Sequence, residues 1–160
     1  MKQISLLLLG MMFVASFSAC SDDDDKYQSQ LPIFSDISFS EERICIDQKV
    51  TATAVQNQKG VLLDRTEYEW SADMYVPDDS TMSYVSGVLY TKNSTNPTCT
   101  FQTPHYPGIY HITFHARYNI SGQATNKTIN GSFPKGYATY TYTPLMGEVT
   151  VVKSFTVYDR

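Results

Sequence analysis

Apolar residues recur at every second position in short bursts along this chain, with turn residues between the bursts. That period places one side of a strand in a core and the other toward water. In "RICIDQKVTATAV" (43–55), Val50, Ala52 and Ala54 share one face while Thr51 and Thr53 share the other. "QNQKG" (56–60) predicts a turn. In "RTEYEWSAD" (65–73), Tyr68 and Trp70 fall together; in "PTCTFQT" (97–103), Cys99 and Phe101 do. "GIYHITFHARY" (108–118) sets Tyr110, Ile112, Phe114 and Ala116 against Ile109, His111, Thr113 and His115. "IFSDISFS" (33–40), "STMSYVSGVLYT" (80–91) and "EVTVVKSFTVYD" (148–159) add further strands. No segment past the N-terminal leader has the 3.6-residue period of an amphipathic helix.

One stretch departs from this rhythm. Residues 119–147 are far longer than a hairpin loop normally is. Their second half, "YATYTYT" (137–143), alternates again, with Tyr137 and Thr139 opposed to Ala138, Tyr140 and Tyr142. The expectation is an extended hairpin projecting from one end of the domain. Tyr137, Tyr140 and Tyr142 are the candidate ligand-binding residues, since a tyrosine ring suits stacking on sugars and adaptable protein contacts. Cross-strand packing within the hairpin is the alternative.

About seven short strands around a single tryptophan predict an all-β, immunoglobulin-like β-sandwich. "YEWSAD" (68–73) followed by "CTFQTPHYPGIYHITFHARY" (99–118) resembles the PKD-type domain of surface proteins. The resemblance makes Trp70 the inter-sheet core residue. It makes Tyr110 a corner tyrosine, its ring inside and its hydroxyl bonded to backbone. The family's usual turn after the tryptophan strand is replaced here by "MYVPDDSTM" (74–82).

The N-terminus supplies an address. Lys2 and the apolar run "LLLLGMMFVASF" (6–17) end on the small residues Ser18 and Ala19, the pattern of a secretory signal. The run is too short to span a bilayer, which needs about 20 residues. "FSAC" (17–20) resembles the bacterial lipobox, although Phe17 stands where Leu, Val or Ile is usual. The resemblance implies cleavage before Cys20 and lipidation of that residue. "DDDDK" (22–26) could be the scar of a cleavable tag, but it follows a complete export signal. Ser21, Asp22, Asp23, Asp24 and Asp25 resemble instead the surface-export signal of Bacteroides-type lipoproteins. Four adjacent carboxylates repel one another and stay solvated. The expected organisation is a signal peptide over 1–19, a lipidated cysteine and acidic tether over 20–31, and the sandwich over 32–160. Localisation at the outer membrane, facing outward, follows from the resemblance.

Charge and cysteines narrow the chemistry. From Cys20 onward, 11 basic against 16 acidic residues give a formal charge of −5. Nucleic acid, which needs a basic patch, is not an expected partner. With Cys20 lipidated, Cys45 and Cys99 remain as an even pair in an exported protein. A disulfide between them is expected, with two buried free thiols as the alternative. His111 and His115 lie four residues apart on a strand, about 13 Å, too far to share one metal. Glu67 and Glu69 are about 7 Å apart on a strand face, a weak basis for hydrolysis. "DST" (79–81) resembles the O-glycosylation site of Bacteroides-type exported proteins, with Ser80 as acceptor. No catalytic motif, metal site or cofactor is expected. The function expected is a non-catalytic binding or adhesion module for a glycan or a surface protein, held to the membrane by its N-terminal lipid. A structural subunit of an outer-membrane or pilus-like assembly is the second reading, and a hydrolase the third.

Overall fold

The computed structural model describes residues 27–76, 83–87, 97–124 and 130–160, and all its regular elements are β-strands. In chain order they are β1 (Gln28–Ser29), β2 (Ile33–Phe39), β3 (Ile44–Cys45), β4 (Lys49–Gln58), β5 (Leu63–Val76) and β6 (Ser83–Gly87). There follow β7 (Thr98–Gln102), β8 (Gly108–Ile120), β9 (Gln123–Ala124), β10 (Gly131–Phe133), β11 (Gly136–Tyr142) and β12 (Met146–Tyr158). The larger sheet runs β10-β11-β12-β8-β5-β6, and β3 joins β12 in parallel at its C-terminal end. The smaller sheet is β2-β4-β7, and β1 pairs with β9 in parallel. Cys20, the acidic run from Ser21 to Asp25, and Ser80 lie outside the described residues.

The period-2 pattern places the core. Tyr110, Ile112, Phe114, Ala116 and Tyr118 of β8 are buried, as are Val149, Val151, Phe155 and Val157 of β12. Val50, Ala52 and Ala54 of β4 and Cys99 and Phe101 of β7 face them from the smaller sheet. Phe114 is the hub: its ring centroid lies 4.9 Å from Trp70, 5.2 Å from Tyr68 and 5.1 Å from Phe34. The last contact crosses between the sheets, as do Phe39–Phe155 at 5.1 Å and Phe101–Phe155 at 6.2 Å. Each such pair adds about 0.5–1.5 kcal/mol beyond area burial.

In β2 the simple alternation breaks. Phe34 pairs with Gln56 but Asp36 with Val55, so Ser35 is an extra residue in the strand. That bulge lets both Phe34 and Ile37 face the core. The sheets are also pinned by Lys153, the one lysine on the inner face of β12. Its Nζ donates to Asp36 Oδ1 at 2.7 Å and to the Ile37 carbonyl at 2.6 Å.

Three expectations change here. The stretch before the last strand is not a projecting hairpin. β11 pairs with β12 along its whole length, from Gly136 opposite Lys153 to Tyr142 opposite Gly147. It lengthens the larger sheet because burying Ala138 and Tyr140 against the core is more favourable than leaving them in water. On its other side it pairs with β10 through a two-residue turn, Pro134 and Lys135, with Lys135 at φ 63°. Second, residues 28–31, expected within the tether, are part of the fold. Ser29 is buried, donating to the Leu62 carbonyl and accepting from the Gly122 N–H, and Leu31 packs on Gly147 where no Cβ would fit. Third, Cys45 and Cys99 are separate thiols. Cys45 pairs with Tyr158 in the larger sheet and Cys99 with Ala52 in the smaller. The Thr103 hydroxyl donates to the Cys45 carbonyl, which fixes Cys45 beside the far end of β7. Cys99 lies four residues before Thr103, about 13 Å away along the chain, beyond the span of a disulfide.

Candidate functional site

The outer face of the larger sheet gathers the chain's ordered polar chemistry. Strand registers assemble it into cross-strand rows. Thr141, Glu148, Arg117 and Glu67 form one; Thr139, Thr150, His115 and Glu69 the next; Tyr137, Val152, Thr113 and Ser71 a third. Ser154 and His111 continue the face toward Thr156 and Ile109. Neighbours within a row are about 4.8 Å apart, and successive rows about 7 Å. Arg117 Nε donates to Glu148 Oε1 at 3.1 Å, and His115 Nε2 lies 3.8 Å from Glu148 Oε2. Ser154 Oγ and His111 Nδ1 are 3.0 Å apart. Such exposed pairs stabilise a fold little. They do hold donors and acceptors in fixed positions on a broad surface.

The three candidate tyrosines of β11 divide across the sheet. Tyr137 points outward and is 50% exposed, beside Val152. Tyr140 points inward and is 5% exposed, and its hydroxyl accepts a hydrogen bond from the Phe34 N–H at 2.9 Å. Burial raises the pKa of that phenol. Tyr142 is half-buried against the core, and its hydroxyl accepts from the Leu31 N–H at 3.3 Å. Tyr140 and Tyr142 are therefore packing residues that fasten β11 to β2 and to the segment just before it. Of the three, only Tyr137 is open to a ligand.

The other expected positions fall as follows. Trp70 is fully buried on Phe114, and its indole N–H has no hydrogen-bond partner. Tyr110 is buried, and its hydroxyl donates to the Tyr106 carbonyl four residues upstream at 2.8 Å. His111 and His115 are both on the outer face, in different rows. Glu67 and Glu69 stand opposite Arg117 and His115. Among the described residues, no cluster of three His, Cys, Asp or Glu side chains could hold a metal.

The end of the molecule opposite β1 carries a second exposed group. Tyr106, Ile109 and Tyr158 are exposed there, Arg43 lies over the Tyr158 ring at 5.1 Å, and His105 Nδ1 is 2.7 Å from Asp47 Oδ2. Tyr158 sits on the outward parity of β12, six residues beyond Val152, about 20 Å along the strand. Sequence reasoning left Tyr158 and Arg43 out. The outward parity of the last strand was a signal for Tyr158. The Arg43 contact depends on β3 pairing with β12, which no local pattern announces. Comparison with known protein families, curated proteins and solved structures finds no match.

Proposed function

We propose that this chain is a lipid-anchored surface protein whose single β-sandwich, of the PKD/immunoglobulin-like kind, binds a glycan without catalysis. The observation that carries the binding role is the outer face of the larger sheet. Hydroxyls of Thr139, Thr141, Thr150 and Ser71 alternate there with Arg117, His115, Glu148 and Glu69, and Tyr137 offers a half-exposed ring. A sugar chain laid across strands about 4.8 Å apart meets a donor or acceptor at each one, and a flat ring suits its apolar faces. The exposed Tyr158 at the far end of β12 extends the same surface.

The sandwich assignment draws on Tyr110 and Trp70. A buried tyrosine at the start of its strand, bonded to backbone just upstream, is the corner contact of immunoglobulin-like domains. The anchor at Cys20 and outward display rest on the signal, cysteine and acidic run at residues 6–25. Metabolic labelling with a palmitate analogue, lost in Cys20→Ser, tests the anchor. Replacing residues 22–25 with Ala should keep the protein in the membrane and remove it from external protease. For the binding role, the purified chain is applied to a glycan array and to immobilised polysaccharides. Binding that disappears in a Tyr137→Ala/Arg117→Ala variant supports the assignment. A chain that binds no glycan, but is captured by a surface protein through the same face, replaces the glycan with a protein partner.

A further inference from the structure

The exposed apolar residues are unevenly placed. Five of the nine large hydrophobic side chains exposed among the described residues are Tyr27, Val61, Leu62, Leu145 and Met146. They are remote in sequence and lie at one end, around the last residues of β8. The Ile120 N–H donates to the Leu145 carbonyl at 3.0 Å, and the Ser121 N–H to the Leu62 carbonyl at 3.0 Å. Gly122 follows, lying against the Tyr27 backbone and Cδ1 of Leu62 with no room for a Cβ. Met146 pairs with Asn119, and Val61 exchanges two backbone hydrogen bonds with Gln30. Leu145 is 75% exposed and Tyr27 67%.

Folding does not require these residue types. Leu62 has φ 52°, a left-handed conformation that glycine or asparagine takes with less strain. Leu145 follows Pro144 in the β11–β12 turn, where polar turn residues are usual. An exposed leucine at each of two turns leaves apolar surface open to something outside the fold.

The chain identifies the occupant. Tyr27 is the seventh residue after Cys20. Seven residues span at most about 25 Å even when fully extended. The opposite end of the molecule lies further away by the length of β8, about 40 Å. We propose that this apolar rim rests on the lipid surface that holds the anchored cysteine, so that the domain stands on its N-terminal end. The proposal depends on the lipid anchor at Cys20. Val, Leu and Met side chains enter the acyl boundary, and Tyr27 suits the headgroup level. The lipid on Cys20 supplies the attachment, and the rim is a second contact that orients the domain on the surface. The opposite end, with Tyr106 and Tyr158, then points outward together with the far part of the outer face.

The test uses the full lipidated chain in phosphatidylcholine vesicles, with Cys45→Ser as background. An environment-sensitive dye is attached at Leu145→Cys, or at Tyr106→Cys as the far-end control. Flotation reports the anchor, and the dye reports the docking. The expected result is flotation with a blue shift and quenching by lipid-borne nitroxide at position 145, and neither at 106. A Leu62→Ser/Met146→Ser variant with an unchanged melting temperature should still float but lose the shift. Flotation with position 145 as wet as 106 overturns the docking and leaves the anchor standing. A chain that neither floats nor shifts overturns both. A shift at 145 before vesicles are added also overturns the proposal. Doubled mass would then assign the rim to a second copy, and monomeric mass to the chain's own N-terminal segment.

Discussion

Tyr137 and Tyr140 stand three residues apart on one strand and have opposite roles. Tyr140 belongs to the inner face of the larger sheet, where Trp70, Phe114, Ile112 and Val151 are fully buried. Tyr137 belongs to the outer face, among threonines, histidines and paired charges. The same side chain is a structural bolt on one side and an exposed ring on the other. Strand parity decides between them, because the side-chain period of two leaves no intermediate position. The inner face should therefore control stability and the outer face recognition, with little crossover.

The largest effect that could break this division is at the hub. Phe114→Ala removes a ring touching Trp70, Tyr68 and Phe34, and should cost about 3–5 kcal/mol, measured by urea denaturation. A cost below about 1 kcal/mol, the level typical of an ordinary substitution, would mean that the two sheets do not share that core.

Alkaline pH acts on the same face. Burial raises the pKa of Tyr110, Tyr118 and Tyr140, with the neighbouring Tyr68 adding to the effect at Tyr118. The folded state then holds these protons above pH 10 while the unfolded chain releases them. Stability is intact below about pH 10 and falls as pH rises through the raised values. The loss is about 1.4 kcal/mol per pH unit for each buried hydroxyl that remains protonated in the fold. Phenolate absorbance should show these three titrating only with unfolding.

Tyr140→Phe is a smaller probe. It leaves the ring in place but deprives the buried Phe34 N–H of its acceptor, at a cost of about 1–3 kcal/mol. Smaller still is Lys135→Gly at the β10–β11 turn. Relief of the positive φ should raise stability by up to about 1 kcal/mol, with the inward and outward sides of β11 unchanged in amide exchange.

The alternation itself was legible before any coordinates. Val50, Ala52 and Ala54, or Tyr110 through Ala116, declare their faces because apolar and polar residues separate cleanly. In "YATYTYT" both sides carry tyrosine, so the two sides could be told apart but not assigned to core or solvent. Strand partners were less legible than strands. Local patterning does not say that residues 136–142 fold back along residues 147–153 of β12, nor that Cys45 and Cys99 lie in different sheets. An even cysteine count speaks to compartment and not to geometry. The apolar rim was hidden for a related reason. Leu62 and Leu145 are single residues in turns, without period, and only the topology brings them together with Tyr27.

The division of the sheet is tested most directly by one paired measurement: thermal unfolding and glycan retention of Tyr137→Ala beside Tyr140→Phe. Tyr137→Ala is expected to unfold within about 0.5 kcal/mol of the parent, as an exposed substitution should, and to lose glycan retention. Tyr140→Phe is expected to lose stability and, at a temperature where it remains folded, to retain the glycan. The reverse pattern, with Tyr137→Ala destabilised or still binding and Tyr140→Phe folded but unable to bind, would contradict the assignment of core to one face and recognition to the other.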